Sequence, residues 1–168
     1  MKIDLSNPFI RFFLNQIQHY NHNAYWRMRN HVIDPNSKLP KILRLYYLYK
    51  IKKMDAFNHS SMGTDFGQGA YFASPPNLVH GLNNIFVSHY ATIGHHCSIM
   101  RGVTIAQQSK DNNISATIGD NCSIGTNAVI IGGVKIGNNV KIGANAVILT
   151  DIPDNCTAVG VPARIIRR

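Results

Sequence analysis

An isoleucine stands at positions 118, 124, 130, 136, 142 and 148 of this 168-residue chain, always six residues apart. A helix repeats its buried face about every 3.6 residues and a strand every 2, so neither element accounts for a period of six. Cut into sixes from Ala116, the sequence gives ATIGDN, CSIGTN, AVIIGG, VKIGNN, VKIGAN and AVILTD. The third place is always Ile, and the first is always small or β-branched. The last place is held by Asn, Gly or Asp, which enter left-handed backbone with little strain. Each hexad therefore reads as a short β segment followed by a corner. Three sides close a triangular coil of 18 residues, and successive coils stack about 4.8 Å apart like strands of a parallel sheet. Ile118 is then expected to meet Ile136, and Ile124 to meet Ile142.

The same register continues upstream through IFVSHY (85–90), ATIGHH (91–96), CSIMRG (97–102) and VTIAQQ (103–108), with TDFGQG (64–69) and AYFASP (70–75) as weaker members. It breaks at 76–84 and again in the polar 109–115, which reads as a protruding loop. Residues 1–56 lack the sixfold period. Their apolar spacing in "NPFIRFFLNQIQHY" and "KLPKILRLYYLYKIKKMDAF" is helical, broken at 34–40 by Pro and Asn. The expected organisation is a helical region over 1–58, a β-helix over 59–155 with excursions at 76–84 and 109–115, and a tail over 156–168. The fold class is mainly β, with α-helices capping an otherwise open end of the coil.

Composition narrows the function classes. With 45% hydrophobic and 15% charged residues the chain is globular. It contains no run of eighteen apolar residues and its start shows no small-residue cleavage site, so neither a spanning helix nor an export signal is expected. Three scattered cysteines without a CxxC pair fit a reducing cytoplasm and give no thiolate metal site. The formal charge of +9 attracts anions. Lys41, Arg44, Lys50, Lys52 and Lys53 could serve peripheral contact with anionic lipid or form a solvated helix face. Nucleic acid is disfavoured, because the solenoid lacks aromatic stacking positions among its basic residues.

The C-terminal "KIGANAVILTDIPDNCTAVGVPARIIRR" resembles the last coil and tail of the serine, galactoside and capsular-sugar O-acetyltransferases, and "CSIMRGVTIA" with "VHGLNNIFV" resembles the serine acetyltransferase branch. The resemblance covers roughly 60–168. It implies a left-handed parallel β-helix, a homotrimer with active sites between subunits, acetyl-CoA as acyl donor and no metal. It also implies a histidine general base, acting on an acceptor hydroxyl that attacks the thioester directly. His80 matches that base, with His89 and His95 as alternatives. Asp65, fifteen residues earlier, resembles the carboxylate that orients it. Thr126 and Ala144, 18 residues apart, match the small residues that line the pantetheine groove. Arg164 and Arg167 match tail arginines suited to CoA phosphates.

This chain has Val79 where serine acetyltransferases carry an acid, and "SKDNNIS" lacks their second loop histidine. These differences point to a sugar or polysaccharide-precursor hydroxyl as the acceptor, with L-serine as the alternative and a non-catalytic trimeric scaffold as a third reading. A γ-type carbonic anhydrase is excluded by spacing: its histidine pair is five apart, whereas His89 lies six from His95 and seven from His96.

Overall fold

The computed structural model describes residues 19–109 and 113–167, together with positions 7, 8 and 17. Most of the helical segment expected before residue 19 lies outside them, as do residues 110–112 of the polar loop and Arg168. The described chain runs through α1 (His22–Ile33) and α2 (Lys41–Phe57) into short strands, β1 (Thr64–Asp65) to β16 (Arg164–Arg167). None of the described helices is long and apolar enough to cross a membrane.

Three parallel ladders form the sides of the solenoid. One stacks β3 (Tyr71–Phe72), β6 (Thr92–Ile93), β9 (Thr117–Ile118) and β12 (Lys135–Ile136). A second stacks β4 (Asn77–Leu78), β7 (Ser98–Ile99), β10 (Ser123–Ile124), β13 (Lys141–Ile142) and β15 (Cys156–Val159), with β16 folding back antiparallel on β15. The third stacks β5 (Phe86–Val87), β8 (Thr104–Ala106), β11 (Val129–Ile131) and β14 (Val147–Ile148). Ile118 pairs with Ile136, Ile124 with Ile142 and Ile130 with Ile148, as the sixfold period requires. These side chains are all 3% exposed or less. Burying each adds roughly 2 kcal/mol of apolar transfer energy.

Interruptions are absorbed at corners without shifting the inward face. Ile99 pairs with Ile124, 25 positions on instead of 18, and the surplus of seven equals the 109–115 insertion. The 76–84 segment is not wholly an excursion, since β4 within it forms a rung against β7. At the other end, Cys156–Val159 lies on β13 and extends the stack past residue 155.

One weak hexad is not a rung at all. TDFGQG forms an antiparallel hairpin in which Thr64 pairs with Gly69 and Asp65 with Gln68. Gly67 sits at φ +77°, which permits a tight turn that an L side chain resists.

The helices close this end of the core. Asn21 caps α1 by accepting from the Ala24 amide at 3.0 Å. Tyr25, Trp26, Met28, Arg29 and Val32 make its buried face. Arg29, 1% exposed, ties the helix to the first coil by donating to Thr64 Oγ1 at 2.9 Å, the Met62 carbonyl at 3.0 Å and the Ala70 carbonyl at 2.7 Å. Trp26 and Phe72 flank its guanidinium at 5.2 and 4.9 Å. Arg44 of α2 donates to the carbonyls of Val32 and Asp34, the C-terminal end of α1.

Between the helices, Tyr25 donates to Asp55 Oδ1 at 2.8 Å. Burial pushes the Asp55 carboxyl up from 3.8 to about 6, against the pull of the Tyr25 hydrogen bond and the nearby Lys52 and Arg29. The folded state thus holds this proton more tightly than the unfolded chain. Its contribution is complete below about pH 4 and is lost as pH rises through about 6, amounting to roughly 3 kcal/mol. Denaturant titrations across that window are expected to show the decline in the native protein, and its absence in Asp55→Asn. A second expectation concerns rung spacing. A Cβ on Gly125 would meet the Ala144 amide nitrogen at 2.6 Å and the Ile142 carbonyl oxygen at 2.8 Å, both immovable backbone. Gly125→Ala should therefore lower the unfolding free energy by about 1–3 kcal/mol, measured against an exposed-site control such as Ala144→Ser.

Candidate active-site corner

Each ladder hands the chain to the next through a corner, and the polar residues of interest separate by corner. The corner after β4, β7, β10 and β13 holds, rung by rung, His80, Arg101, Thr126 and Ala144. The register makes this alignment: Leu78 pairs with Ile99, Ile99 with Ile124 and Ile124 with Ile142, and each residue in question lies two positions beyond. Backbone bonds lock the rungs together, with the Asn127 amide donating to the Arg101 carbonyl at 3.1 Å and the Asn145 amide to the Thr126 carbonyl at 2.8 Å. Asn84, Asn127 and Asn145 take positive φ here, the conformation that turns the chain.

Thr126 is half-buried, while Ala144, His80 and Arg101 are exposed. At one end of the corner lies a shallow pocket of about 250 Å³ lined by Asn83, Asn84, Arg101, Gly102 and Asn127. At the other, the chain turns through Gly160–Ala163 and returns as β16. Arg164 pairs with Val159 there and is exposed. Arg167 lies on the same strand, paired with Cys156; its side chain is outside the described residues.

His80 itself makes no side-chain hydrogen bond or ion pair among the described residues. The expected Asp65–His80 pairing is not what this chain brings together. Asp65 Oδ2 lies 2.7 Å from His89 Nε2, and Oδ1 lies 3.5 Å from Lys52 Nζ. The His89 nitrogen has no aligned hydrogen-bond partner, so this is a close ion-pair approach with the oxygen off the N–H axis. The reason is the hairpin of β1 and β2 (Gln68–Gly69), which packs Gly63 under the Val87 and Ser88 carbonyls and so delivers Asp65 to the corner after β5, where His89 stands.

His95 and His96 stand at the third corner, where His96 takes φ +55° and the His95 amide donates to Asp120 Oδ1 at 2.7 Å. That corner continues as an asparagine ladder through Asn121, Asn139 and Asn155, all at positive φ. Turn formation accounts for its chemistry. Among the described residues no cluster of three or more His, Cys, Asp or Glu side chains could hold a metal ion. Arg101 is the residue that sequence reasoning passed over. Its signal was positional, two residues past an inward Ile in the same column as Thr126.

Residues 115–150 match the family model described as bacterial transferase hexapeptide (six repeats). Among curated proteins, the chain is 36% identical over 107 residues to serine acetyltransferase of Synechococcus elongatus, covering 63% of this chain and 41% of that one. It is 46% identical over 90 residues to serine acetyltransferase 5 of Arabidopsis thaliana, covering 53% and 29%. Among solved structures, serine acetyltransferase of Neisseria gonorrhoeae in complex with serine superposes with a TM-score of 0.59 at 31% identity, covering 89% of this chain and 54% of that one. The Brucella abortus enzyme in complex with coenzyme A gives 0.67 at 25% identity, covering 94% and 56%. The chain thus spans less than two thirds of each of these relatives. The match over 115–150 is therefore to hexapeptide repeats, and the coil with its helical cap has the fold of the solved serine acetyltransferases it superposes on.

Proposed function

We propose that this chain is an acetyl-CoA-dependent O-acetyltransferase and that L-serine is the acceptor to test first. One observation carries the reading: the resemblance-derived base and the resemblance-derived groove residues fall in a single column, the corner of His80, Arg101, Thr126 and Ala144. Relatives that are serine acetyltransferases, one solved with serine and one with coenzyme A, supply the substrate classes. They favour L-serine over the sugar hydroxyl expected from Val79 and the polar loop, since those two departures alone pointed to sugars.

In this reading the pantetheine arm lies along Thr126 and Ala144, where exposed backbone and small side chains give it room. Arg164 and Arg167 receive the phosphates at the end where the chain folds back. The thioester reaches His80. Its imidazole takes the proton from the acceptor hydroxyl as the oxygen attacks the carbonyl, and the tetrahedral adduct collapses by expelling the CoA thiolate, which is reprotonated. Attack is direct, so none of the three cysteines serves as nucleophile. The cleft is completed by a neighbouring solenoid in a homotrimer.

A second assignment of the base rests on its own observation, the 2.7 Å approach of Asp65 to His89. A carboxylate this close steadies the imidazolium that a base forms when it takes a proton. Here the groove would be shared between one protomer's Thr126 corner and another's His89 corner.

Thiol release from acetyl-CoA, assayed with L-serine and a panel of sugars and nucleotide sugars, tests the proposal. Release with L-serine is expected, and no release with any acceptor overturns it. His80→Ala should lower kcat by about 10²–10⁴-fold with KM for acetyl-CoA little changed. Full turnover in His80→Ala with loss in His89→Ala moves the base to His89. Ala144→Tyr, which fills the groove, is expected to weaken acetyl-CoA binding about tenfold or more, equivalent to about 1.4 kcal/mol, in isothermal titration.

A further inference from the structure

Among the described residues, one helix face carries a run of exposed apolar side chains that the fold does not use. On α2, Ile42 is 80% exposed, Tyr49 63%, Tyr46 53% and Leu45 46%. They stand at i, i+3, i+4 and i+7, so they form one continuous stripe on one side of the helix. Scattered exposed apolar residues need no explanation, but a contiguous patch does. The opposite side, through Arg44, Ile51 and Asp55, already packs against the rest of the cap.

Lysines surround the stripe. Lys41, Lys50 and Lys53 are exposed, and Lys50 Nζ lies 5.5 Å from the centre of the Tyr46 ring. Lys52 stands at the margin, shared with Asp65 at 3.5 Å. The helix's single carboxylate, Asp55, is buried against Tyr25 and offers nothing to this face. An apolar stripe of Ile, Leu and Tyr bordered by lysine ammonium groups has the composition of a helix lying in the headgroup layer of a membrane. Tyrosine suits that depth because its ring is apolar and its hydroxyl wet.

We infer that the outer face of α2 rests on an anionic lipid surface, with Ile42, Leu45, Tyr46 and Tyr49 entering the interface and Lys41, Lys50 and Lys53 meeting the lipid phosphates. Charge decides between this occupant and a second copy of the chain. Pairing two such faces brings the lysines of both copies together, while α2 itself offers no exposed carboxylate and Asp65 at the margin is already shared with Lys52, on a chain that carries a formal +9. A surface of lipid phosphates neutralises the same groups. The inference does not depend on the acetyl-transfer reading, because α2 contributes nothing to the corner of Thr126 and Ala144.

Co-sedimentation of the full chain with vesicles tests it. Binding is expected to vesicles of phosphatidylcholine mixed with phosphatidylglycerol, to be weak on phosphatidylcholine alone, and to fall as salt rises. Lys50→Gln with Lys53→Gln should lower the partition coefficient on the order of 25-fold, about fivefold per lysine. Ile42→Ser with Tyr49→Ser should abolish binding to both vesicle types. All four side chains are exposed, and circular dichroism of each variant confirms the fold. No binding to the anionic vesicles, or equal binding by the variants, overturns the inference. So does self-association that Ile42→Ser with Tyr49→Ser removes while vesicle binding is absent, which would assign the face to a second copy.

Discussion

The structure depends on rungs that stack in register at strand spacing, with an Ile from each rung sitting directly on the Ile of the last. That spacing governs everything at the corners. Rungs this close leave no room for a Cβ on Gly119, Gly125 or Gly137, each of which faces the backbone of the next coil. The corners must also turn sharply, and Asn121, Asn127, Asn139, Asn145 and Asn155 do so in left-handed backbone. Inward packing thus selects Ile and Cys, and the turns select Gly and Asn. Only the outward corner places are free to carry chemistry.

This explains why the solenoid was legible in the sequence and the site only partly so. The sixfold Ile pattern encodes a repeat of burial, and burial is local: each Ile names its partner one coil away. Insertions do not hide it, because after the seven extra positions of 109–115 the next rungs resume with the same residue inward. The hairpin at 64–69 was misread because TDFGQG has the hexad's residue types. What decides is a tertiary fact: among the described residues no rung lies beneath it, and Gly67 closes a two-stranded turn. The expected Asp65–His80 pairing rests on resemblance and a fifteen-residue spacing, neither of which registers the hairpin. A carboxylate placed by a coil would have stayed on its own side, whereas the hairpin delivers it to His89.

The division of residues by corner also bears on what a single chain can do. Thr126, Ala144 and His80 occupy one edge, and the Asp65–His89 pair another. Edges of one triangular prism face apart, but in a closed ring of three prisms an edge of one copy faces a different edge of the next. Both histidines can then border one cleft, each supplied by a different protomer, and the two assignments of the base become alternatives within one architecture. Along the Thr126 corner of one chain, the polar pocket of Arg101 lies at one end and Arg164 at the other.

The cap extends the same logic to the molecule's surface. A solenoid end exposes strand edges and core, and Arg29 closes it by satisfying the Met62 and Ala70 carbonyls, which no other described rung reaches. Holding that arginine requires α1, and holding α1 requires α2 through Arg44 and the Tyr25–Asp55 contact. One side of α2 is consumed by this work. Nothing in the capping task asks for Ile42, Leu45, Tyr46 and Tyr49 on the other side, where lysine or glutamate would serve solubility better. Their presence among lysines calls for a surface to meet, and an anionic bilayer answers both the apolar stripe and the charge around it.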